Sequence, residues 1–126
     1  MTAARSRTRN SAKSAGARFE RRIADALAQA LDDDRIDRRV KTGAKDRGDV
    51  SGVRLHGQRV VLELKDACTL RLPEWTAEAQ LEAGNDDALV GLVVSKRHGV
   101  GDPMRQWVHC TLADLVAILT GQRADQ

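Results

Sequence analysis

The residues with the clearest potential for chemistry are Asp49, Glu63 and Lys65. Thirteen residues separate Asp49 from Glu63, and Lys65 follows two positions later. The segment 59–65 is otherwise apolar and has high strand propensity, so Glu63 and Lys65 should share one face of a strand. Isolated charges are costly to bury in an interior strand unless they are paired. A divalent metal and a phosphate are natural partners, and the spacing therefore predicts an active site.

The chemistry that suits these residues is phosphodiester hydrolysis. It needs an activated water and a means of absorbing negative charge, which Mg²⁺ held by carboxylates can supply. We expect Asp49, Glu63 and the backbone carbonyl of Leu64 to bind Mg²⁺, with Mn²⁺ able to substitute. Lys65 would orient or deprotonate the attacking water. The alternative is an ordinary ion pair on a strand surface.

The pattern D-x(13)-E-x-K resembles the PD-(D/E)xK phosphodiesterase superfamily. With the helix opening at 16–22 and the glycine-containing segment 39–49, it more closely resembles the Holliday junction resolvase branch and related phage nucleases. The resemblance covers about residues 16 to 121, and Gly48 stands where the name motif has proline. It implies that Glu20 binds a second metal or holds a metal-bound water. A helix-surface pair with a neighbouring arginine is the alternative for Glu20.

Candidate DNA contacts share basic or hydroxyl side chains in or near these segments. They are Arg18, Arg39, Lys41, Thr42, Lys45, Arg47, Lys96 and Arg97. Thr42 could contact the scissile phosphate or satisfy a strand end, and each basic residue could instead be solvated. Because phosphate contacts carry no sequence information, we expect recognition by DNA shape.

Composition narrows the class of partner. The 126 residues suit one domain, and the net charge of +3 is uneven, with seven Lys or Arg and one Glu in residues 1–22. Aromatic residues are 2% of the chain, which favours duplex or branched DNA over stacked single strands. Cys68 and Cys110 form no metal or disulfide pattern. No membrane span or signal peptide is visible, so we expect a bacterial cytoplasmic protein, or a phage-encoded one acting in the host cytoplasm.

Hydrophobic patterning predicts an α/β or α+β fold, and the resemblance implies an α/β fold of restriction-endonuclease-like class. We expect a central mixed five-stranded sheet flanked by helices, in the order α-β-β-β-α-β-β-α. A flexible basic arm (1–15) should precede the nuclease domain (16–121) and a short tail (122–126). Its strands are expected near 36–42, 49–55, 59–65, 88–95 and 106–110. The last helix should bury a stripe of four apolar residues, Leu112, Leu115, Val116 and Leu119. Trp75 and Trp107 are expected to be core residues.

These expectations converge on a Mg²⁺-dependent, structure-selective DNA endonuclease of the Holliday junction resolvase type, active in recombination or repair. Paired symmetric cuts at a four-way junction favour a homodimer, with the last helix and the edge strand as candidate interfaces. The alternatives are a less selective nuclease (a nickase, repair or restriction-type enzyme) and a catalytically inactive DNA-binding protein of the same fold.

Overall fold

The fold is a mixed sheet with helices on both faces. The computed structural model describes residues 8–40, 43 and 45–123. The helices are α1 (Arg9–Ala30), α2 (Leu72–Asn85) and α3 (Leu112–Thr120). The strands are β1 (Asp37–Arg38), β2 (Val50–Ser51), β3 (Arg54–Leu55), β4 (Gln58–Lys65), β5 (Val90–Ser95) and β6 (Trp107–His109), with a 3₁₀ turn (Pro103–Arg105) before β6. This confirms an α/β architecture with a mixed, helix-flanked sheet.

The sheet order is β1-β2-β4-β5-β6, and β3 pairs with β4 off this path. Only β4 and β5 are parallel, and α2 makes the crossover between them. The sheet has six strands rather than five because the strand expected at 49–55 divides at Gly52. Gly52 has φ +90°, and a Cβ there would lie 2.6 Å from the Arg35 carbonyl oxygen.

The two faces of β4 are covered by different helices. On one face, Phe19 and Ile23 of α1 pack with residues 60, 62 and 64. On the other face, α2 packs against Val61 and the following strand. Gly91 of β5 permits this approach, since a Cβ at that position would overlap the backbone of Ala79. Glu63 and Lys65 therefore lie on the face of the sheet that α2 covers.

Helix α1 begins at Arg9 rather than at residue 16. Thr8 is its N-cap and its hydroxyl accepts a hydrogen bond from the Ser11 N–H at 3.1 Å. Residues 9–15 are thus helical, and the expectation of a flexible arm there is wrong. The segment has no hydrophobic periodicity because its residues are exposed as far as Ala15, which is buried. Its alanine and basic residues nevertheless favour helix. Residues 1–7 lie outside the described part of the chain.

The expected buried stripe of α3 is wrong. Leu112 and Leu119 are 76% and 75% exposed, and Leu115 and Val116 are also exposed, whereas Asp114 and Ala117 face the body. Apolar spacing identifies a face that can be covered but not which element covers it. Threonine and glycine are favoured at the two ends of a helix, so the sequence predicts Thr111 and Gly121 as the caps of α3. The structure confirms both: the Thr111 hydroxyl accepts from the Asp114 N–H, and Gly121 ends the helix with φ +73°.

The segment expected as a strand at 36–42 is short. Only Asp37–Arg38 pairs in the sheet, and Lys41 and Thr42 lie outside the described residues. In the described part of the chain, none of the helices combines the length and apolar character needed to cross a membrane.

Candidate active site

Asp49 is fixed by backbone contacts before β2 begins. Its N–H donates to the Leu62 carbonyl at 2.9 Å, and its Oδ2 accepts from the Leu64 N–H at 2.8 Å. The side chain is buried, with only 3% of the residue exposed. Both bonds reach the same edge of β4, so the motif aspartate is joined directly to the strand that carries Glu63.

These bonds also orient the carbonyl of Leu64. Backbone polar groups alternate between the two edges of a strand, and the bonds of Leu62 and Leu64 both run toward Asp49. The Leu64 carbonyl therefore lies on the edge of β4 that Asp49 occupies. This position suits the ligand role expected for it.

Glu63 faces Glu82 of α2 across a buried interface. The two residues are 6% and 3% exposed, and Oε2 of each is buried with no hydrogen-bond donor among the described residues. Burial, the hydrogen bond with Glu63 and the charge on Glu63 raise the pKa of Glu82 to about 10. Burial also raises the pKa of Glu63, and Asp49 adds to this effect. Two buried carboxyls so placed require a shared proton or a cation.

Asp46 brings a third carboxylate to this pair. One oxygen from each of Asp46, Glu63 and Glu82 lies within 4.8 Å of the other two. The loop is held in place because the Asn85 amide donates to the Asp46 carbonyl at 2.8 Å and the Gly48 N–H donates to Oδ1 of Asp46 at 3.0 Å. Oxygen ligands of this kind suit Mg²⁺ or Mn²⁺. The unpartnered buried oxygens show that these residues fit a cation.

Sequence reasoning missed Asp46 and Glu82. Asp46 lies three residues before Asp49, inside the segment that was assigned to DNA contact. Glu82 belongs to α2. The sequence feature that could have identified it is its position on the side of that helix that also carries the buried residues Trp75 and Ala79. Spacing along α2 could have indicated burial for Glu82, but not its contact with Glu63.

Lys65 is positioned as a cation rather than as a base. Its Nζ lies 2.8 Å from Oε2 of Glu78 and 3.4 Å from Oε1 of Glu63. Burial alone would lower the pKa of Lys65, but the hydrogen bond with Glu78 and the charge of Glu63 outweigh it, and the pKa is raised. Of the two roles expected for Lys65, orienting a water fits better than deprotonating it.

Gly48 stands where the motif that the sequence resembles has proline. Its φ is +97°, and a Cβ would meet Val61 Cγ1 at 2.8 Å. Proline requires φ near −65°, so it is incompatible with this turn. Glycine is the residue that the local backbone demands.

The contacts of Glu20 differ from those of the acidic cluster formed by Asp46, Glu63 and Glu82. It is on α1, whose Phe19 packs against the opposite face of β4, and its Oε1 lies 3.3 Å from Nη2 of Arg38. A salt bridge with an arginine was the alternative expected for Glu20, although its partner comes from β1 rather than from α1.

The candidate DNA contacts fall into four groups. Arg18, Lys45 and Arg47 are exposed. Arg39 is ion-paired with Asp86 at 3.5 Å, and Lys96 with Asp66 at 3.6 Å. Arg97 lies over the Trp107 ring at 4.1 Å, while Lys41 and Thr42 are outside the described residues. Lys45 and Arg47 flank Asp46 in the sequence.

The fold and the site together define an α/β protein with an acidic cluster beside a lysine, in which Glu63 and Glu82 are buried and Asp46 is exposed. Comparison with protein-family models, with curated proteins and with solved structures finds no match to this chain. The function is therefore inferred from the geometry of the site.

Proposed function

We propose that this protein is a Mg²⁺-dependent, structure-selective DNA endonuclease of the restriction-endonuclease-like class, similar in activity to Holliday junction resolvases. The observation that carries the proposal is the buried pair of Glu63 and Glu82, whose Oε2 atoms lack hydrogen-bond donors among the described residues. Asp46 lies close to this pair, and Lys65 lies near Glu63 on the same strand. Asp49 is hydrogen-bonded to that strand. A purely structural role would leave this costly arrangement without benefit.

The residues divide the work of hydrolysis among them. Asp46, Asp49, Glu63 and Glu82 would hold the ion, which when bound would polarise the scissile phosphate and activate a water. Lys65 keeps its proton and would orient the water and offset charge that develops on the phosphate. Glu78 positions the Lys65 ammonium through their 2.8 Å contact. Cleavage would leave 5′-phosphate and 3′-hydroxyl ends.

A homodimer fits both the substrate and the surface of α3. A four-way junction requires paired cuts, which two-fold symmetry supplies. The exposed apolar positions of α3 recur at spacings of three and four residues, typical of a helix that packs against another helix. They are Leu112, Leu115, Val116 and Leu119. A second copy of the chain would cover this face with its own α3.

Cleavage of a labelled four-way junction and a matched linear duplex in Mg²⁺ tests the proposal. We expect paired cuts confined to the junction, retained by Glu74→Gln and lost in Glu63→Gln. The control makes the same chemical change at a solvent-exposed carboxylate of α2. Equal cutting of both substrates would instead identify a less selective nuclease. Binding of the junction without cutting in Mg²⁺ or Mn²⁺ would indicate an inactive DNA-binding protein.

A further inference from the structure

A pocket of about 510 Å³ opens beside the carboxyl ends of the two parallel strands. Its volume is within the range of small-molecule sites. The chain has three aromatic residues, Phe19, Trp75 and Trp107, and both tryptophans line this pocket. The remaining lining residues are Ala67, Leu70, Ser95, Lys96, Arg97, His98, Val100 and His109. In a chain so poor in aromatic residues, this convergence favours a ligand with a planar ring.

Trp107 is available to such a ring. It was expected in the core, but 52% of it is exposed, whereas Trp75 is buried against Ala79 and Val93. The Arg97 guanidinium lies 4.1 Å from the centroid of the Trp107 ring, and its Nη1 donates to the Arg105 carbonyl at 3.1 Å. The guanidinium covers one face of the Trp107 ring, and the exposed part of the ring is where a base can stack.

The charge of the pocket complements a phosphate. Lys96 and Arg97 line it, and among the described residues no Asp or Glu does so. Asp66 lies 3.6 Å from the Lys96 ammonium, but its side chain is 1% exposed, so a ligand would meet the lysine first. An aromatic wall with two cations is the combination that recognises a nucleotide.

The pocket adjoins the candidate active site. Ser95 at its base is the register partner of Lys65, and the Lys96 N–H donates to the Lys65 carbonyl at 2.9 Å. Neighbouring strands are about 4.8 Å apart. Ligands of open α/β sheets commonly bind at the carboxyl ends of the strands. A strand cut near Lys65 could therefore place an adjoining nucleotide in the pocket.

We propose that this pocket binds one unstacked nucleotide of a DNA strand, with its base on Trp107 and its phosphate against Lys96 and Arg97. The identification of the ligand as a DNA strand rests on the proposed DNA-cleaving function. A branch or a flap interrupts base stacking and exposes such a nucleotide, while an intact duplex does not. The pocket would thus contribute to structure selectivity without reading sequence.

Binding in EDTA tests the pocket without cleavage. The probes are a duplex with a one-nucleotide flap and the same duplex with an abasic flap, which keeps the phosphate and lacks the base. We expect the flap with a base to bind about tenfold more tightly, as stacking on one aromatic side chain allows. Trp107→Ala should abolish this preference and Trp107→Phe should retain it. Val108→Ala, on the opposite face of β6, should leave it unchanged.

The outcomes separate this proposal from the proposed function. Equal binding of the two flaps, or a preference that survives Trp107→Ala in a folded variant, would overturn the nucleotide pocket even if Mg²⁺-dependent cleavage is observed. Free deoxynucleoside monophosphate that binds more tightly than the flap would also overturn it, because the ligand would then not be a DNA strand. If the wild type cleaves no DNA but prefers the flap with a base, and Glu63→Gln keeps this preference, the pocket would be supported and the proposed nuclease activity refuted.

Discussion

The raised pKa of Glu82 makes a quantitative prediction for the Glu82→Gln variant. The pKa of Glu82 is about 10 in the folded protein, against an ordinary value of 4.5. Between these values the folded state binds more protons than the unfolded state, so the free energy of unfolding falls as pH rises. The limit of this slope is about 1.4 kcal/mol per pH unit. Glutamine is neutral at all these pH values and can donate to Glu63 without a proton from solvent.

Urea unfolding in EDTA, from about pH 5.5 to about pH 8.5, measures this linkage. We expect Glu82→Gln to become more stable than the wild type as pH rises, by up to about 4 kcal/mol across three units at the limiting slope. Glu74→Gln is the matched control, since its carboxylate is exposed on the same helix. Taking the difference between variant and wild type removes the titration of groups that do not interact with Glu82, so the remaining pH dependence belongs to the Glu63–Glu82 pair.

Mg²⁺ provides the second half of this test. A cation that takes the place of the shared proton should stabilise the wild type more strongly at high pH. In Glu82→Gln a ligand is lost, so stabilisation by millimolar Mg²⁺ should be smaller at every pH. The reasoning would be refuted if the free energies of unfolding of variant and wild type depended on pH in the same way in EDTA. The Glu63–Glu82 pair would then hold no additional proton.

Three further predictions concern packing and assembly. Gly91→Ala should lower the free energy of unfolding by more than about 2 kcal/mol in urea titration, since its Cβ would overlap α2; an unchanged midpoint would contradict the close approach of helix and strand. Gly48→Pro should destabilise the protein in thermal melts, because φ +97° is closed to proline; a melt like that of the wild type would contradict this turn. Leu112→Arg combined with Leu119→Arg should convert a dimer to a monomer in light scattering, while Leu81→Arg, exposed on α2, should not; a wild-type monomer would refute the interface.

Much of the site's scaffold could be predicted from local sequence. Strand alternation placed Glu63 and Lys65 on one face of β4, and the structure retains both on the face that α2 covers. The crossover helix was predicted from Pro73 near its start and Gly84-Asn85 at its end. The last helix was predicted from its apolar period and its caps, with Thr111 and Gly121 at the expected ends of α3. These features depend on residues close together in the chain.

Tertiary structure decided which distant groups meet. Glu82 joins Glu63 only because α2 crosses the sheet at Gly91, and Asp46 joins them because Asn85 holds its loop. The exposed face of α3 and the convergence of the two tryptophans on one pocket were equally hidden from the sequence. Periodicity reveals which neighbouring side chains share a face, because the geometry of helix and strand is local. The contacts between faces depend on register and packing between elements far apart in the chain, and these are set by the whole fold.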